Sequence, residues 1–321
     1  MGALVTAGLL LAVAACSSET AQPAEPTPTA PSQEDQKPAA SPALEPDQAQ
    51  ALLDEYAAVN DRANEALDAD LIATVEAGPL LQRSHAGMVV VRSIPESERG
   101  DVVPTQHTDP RFYIPRDGQR WWMAEVTGHA GPELLTFADS DGQGEWRMVS
   151  SLYLEDGVPD IELDEEGWAT AVDLDDDAGV ITPAEVSAAY EDMWETGGDG
   201  PGAALAETPA TEAALEERGT NREDLRLQTR FEPEEPEHPE VYALRTADGG
   251  SLVVAPLARV RIELSIEPGS VVTPGTVTSR YDDTPRNPVR TYFRGDTAAW
   301  LPAGEDAPHI LAAEYGATDA D

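Results

Sequence analysis

The feature that most constrains this chain is its only cysteine, Cys16, which ends an uncharged apolar run beginning at Met1. Because a single cysteine cannot form an intrachain disulfide, the fold must be held together by its hydrophobic core. The run is too short to cross a bilayer, since a spanning helix needs roughly 20 apolar residues. Its length instead suits the apolar region of a secretory signal peptide. We therefore interpret residues 1–15 as a signal peptide.

The residues that lead into Cys16 resemble a bacterial lipobox. In the segment from Leu11 to Cys16, Val13 lies three positions before the cysteine, and Ala14 and Ala15 directly precede it. Small residues let the peptide enter a narrow peptidase groove, and the thiol is the nucleophile to which a diacylglycerol is attached. The resemblance implies that Cys16 is lipidated and that the protein is extracytoplasmic, held by its lipid to the outer face of the cytoplasmic membrane.

Alternatives to this interpretation stay open. The Lys/Arg segment that usually precedes such an apolar run is missing, so either the start codon lies upstream of Met1 or the signal is weak. The run could also form a buried N-terminal helix with a free thiol. The position of Cys16 at the end of the run favours the lipidated form.

The segment after the cysteine differs sharply in composition from the rest of the chain. Residues 17–46 are rich in proline and small polar residues and contain almost no large apolar side chain. Such a segment cannot bury enough surface to fold, and its prolines favour an extended chain. We expect residues 16–46 to form a lipidated, disordered stalk that holds the folded part away from the membrane.

Charge restricts the possible partners. The chain contains 61 Asp and Glu against 20 Lys and Arg, which gives a net charge of −41. This charge would repel nucleic acid and anionic lipid headgroups, so we expect no nucleic-acid partner and a membrane contact made through the lipid on Cys16. Cationic partners, divalent ions and a protein or cell-envelope partner stay open. High surface acidity also promotes solubility without any specific role.

Hydrophobic periodicity predicts helices before strands in the first part of the folded chain. Apolar residues recur at helical spacing over residues 47–67, with Asp47 as the cap and Gln50 at the capping-box position. A shorter helix is predicted over residues 68–78, ended by a Gly-Pro pair. Strands are predicted over residues 88–92, 112–114, 120–127, 134–138 and 146–154.

The same order returns after an acidic passage over residues 155–179. A capping box from Thr182 to Glu185 begins a predicted helix that runs through Trp194, and another helix is predicted over residues 211–217. Strands are predicted over residues 225–231, 241–245, 251–255, 259–266, 289–293, 298–301 and 310–315.

One of these strands shows clear alternation of polar and apolar residues. Arg259 and Arg261 alternate with Val260 and Ile262. This pattern is typical of an antiparallel strand with one face in solvent, so we expect both arginines to be solvated.

Two units with helices before strands indicate an α+β protein with two domains, over residues 47–158 and 159–321. The lipobox, the stalk and the sequence of residues 56–79 resemble uncharacterised actinobacterial surface lipoproteins. Each unit resembles the cystatin-like or SnoaL-like cone fold, in which a curved sheet wraps around a helix. The resemblance implies no catalytic residue, because that fold hosts enzymes, binding modules and inert scaffolds.

Motifs for several reactions are absent from the sequence. It contains no Gly-x-Ser-x-Gly and no His-Glu-x-x-His motif, and its sole lysine, Lys37, lies in the stalk, which excludes a P-loop from the folded part. The histidines do not follow the spacing of zinc ligands; they are His85, His107, His129, His238 and His309. We predict no catalytic residue and no cofactor other than a possible calcium ion.

One stretch follows part of the calcium-loop pattern. Asp139 and Asp141 occupy the first and third positions of an EF-hand-like loop, and Gly144 occupies the sixth. The twelfth position holds Ser150 instead of a bidentate glutamate, and a strand is predicted to follow. The alternative interpretation is a hairpin turn.

A second acidic stretch also approaches this pattern. Asp173, Asp175 and Asp177 occupy the first, third and fifth positions, but Gly179 comes one position late and Glu185 is thirteenth. The alternative interpretation is an acidic linker. Calcium binding at either stretch is therefore a hypothesis that depends on six or more oxygen atoms converging on one point.

These observations favour a non-enzymatic binding or interaction protein, with two alternatives. The first is a small-molecule-binding or catalytic cone, which needs an open pocket lined by ionisable side chains with displaced pKa values. The second is a calcium-dependent envelope protein. An open cone would indicate the first alternative, whereas a cone plugged by large aromatics would disfavour it; the candidates for such plugs are Trp121, Trp122, Trp146 and Trp300.

The change Cys16→Ser tests the anchor. We expect it to abolish lipidation and release the protein from the membrane without altering the fold, because the chain has no disulfide to lose. Metabolic labelling with a clickable fatty acid measures the modification. Equal labelling of the wild type and the variant would show that the lipobox interpretation is wrong.

Overall fold

The fold described below is that of a computed structural model, which describes residues 41–219 and 226–321. The predicted signal peptide, Cys16 and most of the stalk lie outside the described residues. No helix in the described ranges is both long and apolar enough to cross a membrane. Residues 40–321 form one compact unit.

The first part of this unit contains three helices and then an antiparallel sheet. The four strands of the sheet follow one another as a meander, in the order β1-β2-β3-β4. The elements are α1 (Pro46–Ala66), α2 (Ala69–Ile72), α3 (Gly78–Ser93), β1 (Thr108–Tyr113), β2 (Trp121–Thr127), β3 (Pro132–Ala138) and β4 (Arg147–Tyr153).

The start of α1 differs from the sequence prediction by a residue or two. The backbone N–H of Glu45 donates to Gln48 Oε1 at 2.8 Å, so these two residues close the helix end rather than Asp47 and Gln50. Pro46 occupies the first turn, where its missing N–H leaves no helical hydrogen bond unmade.

The predicted strand over residues 88–92 is wrong, because these residues belong to α3. The Gly78-Pro79 pair, which the sequence predicts to end one helix, is the start of another. Proline fits the first turn of a helix as well as it terminates one, and the valines that follow keep helical geometry because the helix packs against both sheets. α3 lies against β4 of the first sheet and against the two C-terminal strands of the second sheet.

The second part again contains helices followed by strands, as predicted. Its five-stranded antiparallel sheet has the order β5-β7-β8-β9, with β6 pairing beside β7. The elements are α4 (Val186–Glu195), α5 (Pro209–Gly219), β5 (Leu227–Pro233), β6 (Tyr242–Arg245), β7 (Ser251–Ser265), β8 (Val289–Leu301) and β9 (His309–Ala320).

Two pairs of predicted short strands are single long strands in the structure. β7 continues through Pro256, and β8 continues through Gly295. Proline is tolerated because β6 pairs with β7 up to Val254 and β5 pairs with it only from Arg259, which leaves an unpaired edge between them. At this edge Pro256 O accepts a hydrogen bond from Ser187 Oγ at 2.7 Å. The missing N–H therefore costs no strand pairing.

Three hydrophobic clusters show that the elements stack in layers. α1 packs on one face of the first sheet around Trp122 and Phe137. The opposite face of that sheet packs against the second sheet through residues such as Met123 and Val254. The far face of the second sheet packs against α4 around Trp194. The order is helix, sheet, sheet, helix, and it brings the two sheets face to face.

The prediction that Arg259 is solvated is wrong. Its side chain is buried and donates to both carboxylate oxygens of Glu191 at 3.1 and 3.2 Å. The guanidinium carbon lies 3.9 Å from the ring centroid of Trp194 and 4.0 Å from that of Tyr315. Aromatic faces stabilise a desolvated cation, so the strand could bury an arginine where its alternation predicted solvent.

Gly295 permits this packing, and Gly295→Ala tests it. A Cβ at this position would lie 1.9 Å from Glu314 O and 2.7 Å from Tyr315 Cβ. We expect the variant to lose more than about 2 kcal/mol of unfolding free energy, since neighbouring backbone must shift. Denaturant unfolding measures the loss. Gly275→Ala is the matched control, because a Cβ there meets nothing within 4 Å; similar stability of the two variants would contradict the prediction.

Candidate functional site

The strongest candidate site is a cavity between the two sheets, with a volume of about 230 Å³. Its walls come from the start of α3, from β4, β7 and β8, and from the connection between β5 and β6. The lining residues are Ala77, Gly78, Pro79, Ser140, Arg147, Val149, Ser150, His238, Glu240, Tyr242, Val254, Ala255, Pro256 and Asp296. We call this space the inter-sheet cavity.

A β-bulge in the first sheet places Ser150 at the cavity. The register of β3 and β4 shifts between Thr136 and Phe137, which pair with Ser150 and Met148 respectively. Met148 packs in the cluster under α1, whereas Ser150, only two residues later, lines the cavity on the other face. Such a bulge re-aims the side chains that follow it. Ser150 is 1% exposed, and its hydroxyl forms no well-aligned hydrogen bond with the described residues.

Asp296 is the charged group at the floor of the cavity. It is 2% exposed and accepts a hydrogen bond from Arg83 Nη2 of α3 at 3.1 Å. Burial raises the pKa of the Asp296 carboxyl to about 7, and the nearby Arg83 guanidinium opposes that rise. Desolvation thus outweighs the ion pair. A raised pKa together with a place on the wall of a cavity makes this carboxyl a candidate functional group.

Arg83 links the two parts of the unit at this point. Its guanidinium also donates to the backbone carbonyl of Ser151 at 3.2 Å and lies 3.9 Å from the Glu314 carboxylate. Burial raises the pKa of Glu314, and Arg83 lowers it. One arginine on α3 therefore contacts β4 of the first sheet and β8 and β9 of the second.

The mouth of the cavity is formed by the connection between β5 and β6. His238 and Glu240 line it, and Glu240 is exposed. This connection is held to α3 by a hydrogen bond from Gln82 Nε2 to Glu237 Oε2 at 2.9 Å. Among the described residues, no hydrogen bond joins His238 to Ser150 or Asp296. The three side chains share a cavity but do not form a proton relay.

The aromatic candidates take different positions. Trp122 is fully buried and stacks on Phe137 with ring centroids 4.3 Å apart, so it fills the core under α1. Trp146 packs against the same cluster. Trp300 stacks on His309 at 5.3 Å. Trp121 faces the second sheet, where its ring lies 5.5 Å from that of Tyr242. The cavity thus lies between the sheets and not inside either predicted cone.

The first calcium-loop candidate is occupied by internal bonds. Asp139 is buried, pairs with Arg120 and accepts the backbone N–H of Gly144 at 2.8 Å. Asp141 accepts the N–H of Gln143 at 3.2 Å. These contacts close a hairpin turn, and calcium binding at Asp139 and Asp141 stays a prediction.

The second candidate is an exposed turn. Asp173, Asp175 and Asp177 are exposed, while the intervening Asp176 pairs with Arg245. Over residues 41–219 and 226–321, no three His, Cys, Asp or Glu side chains are grouped as a metal site. Calcium binding at these residues stays a prediction.

Sequence analysis missed Asp296 and Ser150. Asp296 fell in the gap between two predicted short strands, so its burial was not anticipated. If β8 is drawn as one strand through Gly295, Asp296 falls on the apolar face of that strand, which is the sequence signal for a buried charge. The sequence places Ser150 only at the last position of an incomplete calcium loop. Its place at the cavity depends on a β-bulge, and a β-bulge leaves no clear pattern in the sequence.

The change Asp296→Asn tests the raised pKa. Because the folded pKa lies above the unfolded value of about 4, the folded protein should lose stability as the pH rises from about 4 to about 7. We expect the wild type to lose on the order of 2–4 kcal/mol relative to the variant across this range. Denaturant unfolding at a series of pH values measures the difference, and groups common to both proteins cancel. A difference independent of pH would contradict the prediction.

Comparison with known proteins identifies relatives that are named as uncharacterised lipoproteins. The chain is 29% identical to the uncharacterised lipoprotein SCO6871 of Streptomyces coelicolor, over 328 residues that cover 97% of this chain and 91% of the relative. It is 27% identical to the uncharacterised lipoprotein SCO2278 of the same organism, over 230 residues and 69% of each chain. No solved structure matches, so the cystatin-like or SnoaL-like resemblance stays a prediction.

A family model matches the folded part of the chain. The family described as a domain of unknown function, DUF8094, matches residues 40–321, which include both sheets and the inter-sheet cavity. The chain therefore belongs to the DUF8094 family.

Proposed function

We propose that the protein is a lipid-anchored binding protein that holds a small ligand in the inter-sheet cavity, outside the cytoplasmic membrane. The anchor is the lipid on Cys16, and the stalk carries the folded unit away from the bilayer. The lipoprotein names of the relatives support the anchor. The cavity supports the binding role, and it is the observation on which the proposal rests.

The composition of the cavity fits a ligand site. Apolar walls from residues such as Val149 and Val254 surround a few polar groups, chiefly Ser150 and Asp296. This combination is typical of small-molecule sites, in which polar groups fix the orientation of a ligand held mostly by apolar contact. The volume of about 230 Å³ suits a compact ligand.

The same groups favour binding over catalysis. A serine nucleophile needs a base within hydrogen-bond reach, and His238 forms no such bond to Ser150 among the described residues. Asp296 is engaged with Arg83, which holds the carboxylate in place. The Ser150 hydroxyl and the Asp296 carboxyl are both positioned to form hydrogen bonds with a ligand in the cavity.

The variant Ser140→Trp tests the proposal. Ser140 is exposed at the edge of the cavity, so an indole there should obstruct entry without disturbing the core. We expect saturation-transfer NMR on the purified protein to detect compounds from a library of small soluble molecules, and we expect Ser140→Trp to lose most of these signals.

Ser97→Trp is the matched control, because Ser97 is also exposed but does not line the cavity. It should keep the signals of the wild type. Equal binding by Ser140→Trp and Ser97→Trp would show that the inter-sheet cavity is not the ligand site.

A further inference from the structure

The surface next to the inter-sheet cavity indicates which chemical class of ligand the cavity binds. An open groove of about 510 Å³ shares Ser140, Glu240 and Tyr242 with the inter-sheet cavity, so the two spaces adjoin. We call it the entrance groove. The rest of its lining is Asp117, Gly118, Gln119, Arg120, Trp121, Ala138, Asp139, Asp141 and Gly142.

The entrance groove presents uncompensated negative charge. Asp117, Asp141 and Glu240 are exposed in its lining, and none of them forms an ion pair among the described residues. Arg120, the basic residue of the lining, is paired with the buried Asp139. A concave surface lined by one sign of charge raises the local concentration of ions of the opposite sign.

An aromatic pair stands where the groove meets the cavity. The rings of Trp121 and Tyr242 lie 5.5 Å apart at an angle of 56°. Burial raises the pKa of Tyr242, the charges of Glu240 and Asp296 add to that effect, and all three residues line the inter-sheet cavity. Aromatic faces attract organic cations.

At the floor of the cavity, the Ser150 hydroxyl oxygen can accept a hydrogen bond from a ligand. The Ser150 hydroxyl is buried, and its hydrogen bond to the Asp296 carboxyl lowers the pKa of that group, but no donor reaches its oxygen among the described residues. An ammonium group has three hydrogen-bond donors and no acceptor, so it can donate to Ser150 Oγ and to the Asp296 carboxylate together. This buried hydroxyl oxygen, which receives no hydrogen bond, is separate from the exposed acids of the entrance groove and points to a ligand at the same place.

The positive groups near the cavity are already paired, and the nearest of them, Arg83, is bound to Asp296 itself at 3.1 Å and does not belong to the lining. Arg147 lines the wall but is paired with Glu145 at 2.6 Å. The start of α3 would favour an anion, yet the N–H of Ala77 already donates to Met148 O at 3.0 Å and Pro79 has no N–H to offer. The acidic groups and the aromatic pair therefore favour a cationic ligand over an anionic one.

We propose that the inter-sheet cavity and the entrance groove bind an aliphatic organic cation, with an inner ammonium beside Asp296 and Ser150. The aliphatic body lies between Val149, Val254 and Pro256, and a second cationic group, where present, lies among the groove acids. This inference rests on the proposed function and names the chemical class of its ligand.

Three probes of equal length and different charge test the inference. They are 1,5-diaminopentane, 1,5-pentanediol and glutarate, titrated calorimetrically into the purified protein at about 0.15 M sodium chloride, where long-range charge is screened. We expect binding of the diamine and none of the diol or of glutarate. Magnesium chloride at matched ionic strength controls for screening by a divalent cation.

Variants locate the binding. We expect Asp296→Asn to weaken diamine binding about tenfold or more, since a charge-assisted hydrogen bond is lost. Glu240→Gln, at the exposed mouth, should weaken it a few-fold and keeps the inference testable if Asp296→Asn does not fold. Glu305→Gln removes an exposed acid outside both spaces and should bind as the wild type does.

The outcomes separate the inference from the proposed function. Preference for glutarate or the diol, lost in Ser140→Trp, would overturn the cation class and leave the cavity as the ligand site. Equal diamine binding by all variants, or heats matched by magnesium, would assign the effect to general surface charge and overturn the inference. An absence of diamine binding in the wild type would also overturn it.

Discussion

A carboxyl group buried between two sheets is the constraint around which this fold is arranged. When the sheets meet face to face, Asp296 loses its contact with water, and an uncompensated charge there would be costly. Arg83 supplies the compensation at 3.1 Å, which requires α3 to lie against both sheets. The compensation is partial, because the pKa of Asp296 stays near 7. The helix, the two sheets and the cavity are thus linked through one ion pair.

The α+β class and the order of helices and strands could be predicted because periodicity reports how each segment buries its apolar side chains. Failures came where tertiary packing decided the local structure. The valine-rich residues 88–92 have strand propensity but remain helical in α3, which packs against both sheets. Pro256 and Gly295 suggested strand ends, yet an unpaired edge and a close strand approach let both strands continue. Neither circumstance can be read from the local sequence.

The candidate site was less predictable than the fold because its groups come together only through packing of the sheets. Ser150, His238 and Asp296 are far apart in the sequence and match no spacing rule. Acidity was visible in the composition, but within the entrance groove the sequence could not separate Asp139, which is paired with Arg120, from Asp141, which forms no ion pair among the described residues. Patterned clusters of aspartate suggested calcium loops, whereas Asp296, with its pKa raised to about 7, has no other acid beside it in its strand.

The second sheet carries a buried arginine–carboxylate pair on each face, and the contrast between them explains why we propose a ligand on only one face. On the helical face, Arg259 and Glu191 are enclosed by Trp194 and Tyr315, so the pair has aromatic neighbours on both sides and little room for another molecule. On the inter-sheet face, Asp296 pairs with Arg83 on one side and borders open space on the other. The first pair is part of the packing, since removing either partner would strand a buried charge. The second borders the inter-sheet cavity, so under our proposal a ligand that brings its own charge can contact Asp296 without disturbing the core.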